Sequence, residues 1–121
     1  MSCLFQSIGA LLQKNPQVVR NEIVDFIIEN QESKLNDMKL KNWVLFNDNN
    51  QDFDEYTKSM RNPSEWGSAL EIISAVILYD VKISIEYKSN VIEFGSDIID
   101  ESRPNLVLHY TGSHYTPLRI S

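Results

Sequence analysis

Cysteine is almost absent from this chain. Cys3 is the only one in 121 residues, so no internal disulfide can close, and the usage fits a reducing compartment, with the cytoplasm expected. Glycine and proline are also scarce, at four each, and nothing is repeated or low in complexity. That excludes fibrous and linker-like classes. No glycine-rich phosphate loop is present. Eleven basic residues stand against seventeen acidic ones, giving a net charge of −6 with no basic stripe. Nucleic acid is therefore not an expected partner. A basic protein or a neutral peptide suits such a surface better, through encounter rate and solubility rather than specificity. Long apolar runs are missing too. The stretch Ala69–Tyr79 is broken by Glu71 and Ser74 and is too short to span a bilayer, so no membrane partner is expected. Met1 is not followed by the basic, apolar and small-residue regions of a signal peptide. The one Asn-x-Ser triplet, Asn62-Pro63-Ser64, is blocked to glycosylation by its proline.

What remains is ordinary globular composition, 42% hydrophobic and 23% charged. It predicts one monomeric domain over residues 1–121 with a sizeable core. Leu4, Ile8, Leu11 and Leu12 share one face of a helix over residues 3–12. Asn15-Pro16 reads as a cap and a first-turn proline, before a second helix striped by Val19, Ile23, Phe26 and Ile27 and ending near Asn30. A polar break at 31–34 precedes a third helix expected over Leu35–Phe46, carrying Leu35, Met38 and Trp43, and 47–51 reads as a polar loop. Phe53, Tyr56 and Met60 mark a helix closed by Asn62-Pro63. Another helix starts at Ser64 or Ser68 and carries Leu70, Ile73, Ile77 and Leu78. The period then changes to two. Val81, Ile83 and Ile85 alternate with polar residues, a turn is expected at Ser89-Asn90, and Val91–Phe94 follows as a strand. Leu106–Tyr110 and Tyr115–Ile120 form two more strands joined through Thr111-Gly112-Ser113. Helices first and a small, mainly antiparallel sheet last make an α+β layout.

Few residues can carry chemistry. A lone cysteine is most often a small buried hydrophobe. Cys3 departs from that pattern because it lies at a helix start, where the dipole favours a thiolate. Ser2 precedes it, and a histidine occupies a turn–strand boundary elsewhere. His114 follows Gly112-Ser113 at a rim where functional groups are commonly displayed, whereas His109 is fixed within an alternating strand. His114 is thus the better general base. The pair reads as a cysteine–histidine hydrolase whose two residues meet only on folding. Metal sites fail on donor count. His109 and His114 have zinc-like spacing, but only one distant cysteine is left to join them. Asp48-x-Asn50-x-Asp52 imitates a calcium loop but has Phe53 at the required glycine and Ser59 at the terminal glutamate. No metal or cofactor is expected.

Three blocks of sequence resemble the ovarian-tumour (OTU) family of cysteine proteases, mostly deubiquitinases. Ser2-Cys3-Leu4-Phe5-Gln6-Ser7-Ile8 is similar to the family's nucleophile helix, Asp-Gly-Asn/Ser-Cys-Leu-Phe-Arg-Ser-Ile. Glu65-Trp66-Gly67-Ser68-Ala69-Leu70-Glu71-Ile72 is like its Trp-Gly-x-x-x-Glu-Ile/Leu helix. Leu106-Val107-Leu108 with His114-Tyr115 is like its closing strand and His-Tyr/Phe-Asp/Asn motif. The blocks span nearly the whole chain in the family's order.

The resemblance implies a papain-like OTU fold with its small sheet packed between helices. It implies Cys3 as nucleophile, His114 as general base, and an oxyanion hole from the backbone N–H groups of Cys3 and Ser2. The substrate implied is the bond after the C-terminal glycine of ubiquitin or a ubiquitin-like protein. Trp66 and Gly67 are expected to support the fold rather than touch substrate. Two departures stand out. Thr116 occupies the place of the Asp or Asn that orients the imidazole, which offers a hydroxyl but no negative charge. The Asp-Gly before the nucleophile would fall at or before Met1. Either the chain is trimmed, or its terminus replaces that loop and sets the α-amino group beside Cys3. So compact a version resembles viral or other parasite-encoded members, which would act in host cytoplasm. Two alternatives remain: a weak or inactive ubiquitin-binding relative, and a polyprotein-processing cysteine protease.

Overall fold

The computed structural model describes residues 3–35, 38–43 and 52–121, with Cys3 and Leu35 described by their backbone alone. Helix α1, Cys3–Leu12, buries Leu4, Phe5 and Ile8, each no more than 2% exposed. Phe5 joins the expected stripe, and Leu11 and Leu12 only border the core. Helix α2, Pro16–Glu29, starts at an Asn15 cap whose Oδ1 accepts the N–H groups of Gln17 and Val18, with Pro16 in the first turn. Those bonds satisfy donors that the helix itself cannot pair. Its buried face carries Val19, Ile23, Val24 and Ile27, and with them Arg20.

The helix expected over Leu35–Phe46 is corrected. Lys34–Leu35 (β1) and Met38–Lys39 (β2) pair antiparallel, and among the described residues of that stretch the helical ones are Leu40–Trp43 (α3). The apolar residues there lack a sustained 3.6 spacing, and the Asn36-Asp37 pair between the strands has turn-favouring chemistry. Phe46, the expected loop at 47–51 and most of the calcium-like stretch lie outside the described residues. Asp52 caps α4, Phe53–Met60, by accepting the N–H of Glu55. Helix α5, Ala69–Tyr79, begins after Ser68 rather than Ser64 and ends at Asp80 in the left-handed region.

Strands β3 (Lys82–Tyr87), β4 (Asn90–Phe94), β5 (Asn105–Tyr110) and β6 (Tyr115–Ile120) form one sheet in the order β4-β3-β5-β6. The two outer pairs are antiparallel, and the central pair β3–β5 is parallel. Tyr87 pairs with Asn90, so the β3–β4 turn is Lys88-Ser89, one residue before the expected position, with Lys88 at φ 56°. Ile83, Ile85, Leu106 and Leu108 present one face of the sheet to the helices, each worth about 1.5–3 kcal/mol of burial. The ladder slips between Val107 and Leu108, leaving Leu118 as the extra residue beside Pro117. A proline is tolerated there because β6 is an edge strand with a bulge. The architecture is α+β, and it brings α1 alongside β6, so the first and last elements of the chain are neighbours.

Candidate functional site

The β5–β6 connection fixes His114 through its backbone. Gly112 takes φ 104°, which side-chain-bearing residues rarely adopt. The Thr111 N–H donates to the His114 carbonyl at 3.0 Å. The Thr111 Oγ1 accepts the His114 N–H at 3.1 Å. Below the loop, Tyr110 stacks on Tyr115 at 4.6 Å and meets Tyr87 at 5.4 Å, and its hydroxyl donates to the Gly112 carbonyl. Burial and the neighbouring Tyr110 raise the Tyr115 phenol above its ordinary pKa. The His114 side chain is exposed, and its ring centroid lies 6.4 Å from that of Trp66.

Trp66 itself is 58% exposed, so it is no core residue. Its neighbour Gly67 is held against the first turn of α1. A Cβ there would stand 2.5 Å from Leu4 Cδ2 and 3.2 Å from Phe5 Cε2. One dipeptide thus touches the residues just after Cys3 on one side and His114 on the other. Cys3 opens α1, where the helix dipole favours a thiolate. Its side chain and all of Ser2 lie outside the described residues, as does the start of the chain.

Thr116 is exposed on β6, directly opposite His109 on β5. His114 is the last residue before β6, two positions ahead of Thr116. The paired Tyr110 and Tyr115 point to the core side and His109 and Thr116 to the other.

Behind the Trp66-Gly67 segment lies a buried polar cluster that periodicity alone does not show. Arg20 is 1% exposed. Its Nη1 donates to the Met60 carbonyl at 2.6 Å, and its Nη2 donates to those of Glu65 at 2.8 Å and Pro63 at 3.3 Å. The guanidinium lies 4.3 Å from the Phe5 ring centroid. Glu71 is fully buried, and its Oε1 accepts the Ser68 N–H at 2.7 Å and the Ser68 hydroxyl at 2.8 Å. Its Oε2 has no hydrogen-bond partner among the described residues. Burial pushes this carboxyl up to about 7, against the bonds from Ser68 and its own N–H and the charge of Arg20. Burial lowers the Arg20 pKa, opposed by the charges of Glu71 and Glu65. For Glu71 the sequence signal was Ser68-x-x-Glu71, a capping-box spacing.

A groove of about 280 Å³ lined by Leu70, Ile73, Phe94 and Ile98 lies beside β4. That is the sheet edge opposite β6, so the groove is separate from His114. No cluster of metal-ligating side chains exists among the described residues. No helix among them is long and apolar enough to cross a membrane.

Residues 2–117 match the family described as OTU-like cysteine protease. The chain belongs to that family. No curated protein sequence matches it. Among solved structures, an OTU domain in complex with ubiquitin superposes with a TM-score of 0.72 at 20% identity, over 98% of this chain and 64% of that one. The OTU domain of OTUD1 gives 0.77 at 14% identity, over 95% of this chain and 77% of its own. The viral OTU domain protease of Taggert virus gives 0.72 at 16% identity, over 98% and 73%. This OTU-like chain therefore spans about two thirds to three quarters of the length of these structures. At such identities they share its fold, and the α+β layout is that of the OTU domain.

Proposed function

We propose that this OTU-like chain is a cysteine isopeptidase that cleaves after the C-terminal glycine of ubiquitin or a ubiquitin-like modifier. The observation that carries the reading is the Trp66-Gly67 bridge, which touches α1 next to Cys3 and the ring of His114 together. The similarity to an OTU domain in complex with ubiquitin supports the choice of substrate. In this mechanism His114 takes the Cys3 proton and the thiolate attacks the glycine carbonyl carbon. The resulting oxyanion accepts bonds from the backbone N–H groups of Cys3 and Ser2. The tetrahedral species collapses as His114 returns the proton to the leaving lysine amine, which leaves a thioester. Water, deprotonated by His114, attacks that thioester and releases the glycine carboxylate and the thiol. Thr116 follows His114 and offers its hydroxyl as a neutral acceptor for the imidazole N–H. The reaction needs no cofactor, and the proposed setting is cytoplasm, that of the host if the chain is viral.

The test is intact mass after incubation with ubiquitin bearing a C-terminal electrophile, beside Cys3→Ala. A covalent adduct in the parent alone supports the reading. Absence of an adduct from folded parent overturns it. Thr116 favours a second reading, a weak or inactive relative that binds ubiquitin through the same surface. Tight binding without turnover, undiminished in Cys3→Ala, would select it.

A further inference from the structure

We propose that Arg20 and Glu71 are positioning residues that together hold the 61–68 segment so that Trp66 seats the His114 imidazole. This rests on His114 acting as the general base described above. The segment has no helix or strand of its own between α4 and α5, so something else must set its path. Arg20 gathers three carbonyls from the end of α4 and the first part of the segment, those of Met60, Pro63 and Glu65. A guanidinium fork suits this task because its donors are rigidly arrayed and its charge is not lost. Glu71 holds the other end by accepting both donors of Ser68. Between these anchors sit Trp66 and Gly67 alone. Gly67 is pressed on Leu4 and Phe5, and Phe5 in turn carries the Arg20 guanidinium on its ring. The cluster therefore ties α1, α2, α4 and α5 to one exposed indole, and that indole meets His114 at 6.4 Å. An exposed aromatic on an irregular segment would otherwise sample many rotamers. A Thr at position 116 supplies no carboxylate to orient the imidazole, which increases what the indole contact contributes.

Two properties of the cluster favour positioning over plain stability. Arg20 is buried, no carboxylate among the described residues is in ion-pair contact with it, and a buried charge is unfavourable unless its donors are satisfied, here by carbonyls. Glu71 keeps one oxygen without a partner among the described residues, a placement that apolar packing would improve on. Both features are more readily understood if the fork and the cap serve the geometry of the segment.

The experiment reads His114 directly. The chain has only His109 and His114, so His109→Gln assigns their two Hε1 signals in a proton spectrum. Trp66→Leu removes the ring-current shift and defines the unseated position of the His114 signal. Trp66 is exposed, so this variant is expected to fold. Arg20→Lys and Glu71→Ala should move the His114 signal toward that position and slow adduct formation with the ubiquitin electrophile about tenfold, since small misplacements slow a reaction by such factors. Glu71→Gln, which keeps the acceptor for Ser68, should restore both. If Glu71→Ala fails to fold, Arg20→Lys decides. A His114 signal that stays at the parent position in folded Arg20→Lys overturns the proposal. So does a moved signal with the adduct rate unchanged. If the parent itself forms no adduct, the isopeptidase reading falls, and the His114 signal in the variants still decides whether the cluster seats the ring.

Discussion

His109 and Thr116 face each other across the β5–β6 ladder, on the side of the sheet away from the stacked Tyr110 and Tyr115. Thr116 thus has the His109 position opposite it, and the proposed mechanism also gives it the His114 imidazole as partner. Thr116→Asp should maintain or raise the rate of adduct formation, because a carboxylate stabilises imidazolium better than a hydroxyl does. The opposite neighbour makes a control necessary, since His109 would share that carboxylate. The gain should persist in the double variant with His109→Gln. A sharp loss in folded Thr116→Asp would mean that position 116 does not adjoin the His114 ring.

The two histidines should separate cleanly on substitution. His114→Ala removes the proposed base and should slow hydrolysis of di-ubiquitin on the order of 10³-fold or more. His109→Ala, on a half-buried strand position, should change the rate only a few-fold. Equal losses in both variants, at unchanged thermal stability, would reassign the base.

Gly67 offers a test of the bridge itself. An added methyl would sit 2.5 Å from Leu4 Cδ2 and 3.2 Å from the Phe5 ring, both buried. Gly67→Ala should lower stability by about 1–3 kcal/mol through overpacking, read as a lower urea midpoint. It should also slow adduct formation by more than the loss of folded protein accounts for, because the displaced segment carries Trp66. Parent-like stability would show that Leu4 yields freely and that the contact is loose.

Much of this arrangement was written in local patterns. The Asn15-Pro16 cap, the period of α2 and the switch to alternation after Asp80 each follow from short-range rules and recur in the structure. The order of the Cys3, Trp66-Gly67 and His114 blocks was legible as well, but not their meeting, because the link runs through a glycine whose role is the absence of a side chain. Residues 34–39 misled because Leu35 and Met38 suit a helix stripe and a hairpin about equally. The parallel β3–β5 pair was also hidden, since alternation specifies a face but not which strand becomes the neighbour. In the sequence Glu71 interrupts the apolar run Ala69–Tyr79 and belongs to the Trp-Gly block, while Arg20 carries no signal of its own. Only tertiary contacts reveal that Arg20 holds three carbonyls and Glu71 caps Ser68.

The raised carboxyl of Glu71 makes stability depend on pH with a definite sign. Burial lifts it from 4.5 to about 7 in the folded chain. Below 4.5 both folded and unfolded forms hold the proton, and the group has no effect on the slope. Between 4.5 and 7 the folded form keeps the proton while the unfolded form has lost it, so stability falls as pH rises. Above 7 both are ionised and the contribution is flat, lower by about 3 kcal/mol at the usual free energy per pKa unit. Glu71→Gln keeps the acceptor for Ser68 and cannot titrate. The stability of the parent minus that of Glu71→Gln should therefore decrease steadily from pH 4.5 to 7 and then level off, with other carboxylates cancelling in the difference. Urea denaturation of both proteins across that range measures it. A difference that is flat, or that rises with pH, would show that Glu71 ionises in the folded protein at least as readily as in water, its bonds from Ser68 and the charge of Arg20 offsetting its burial.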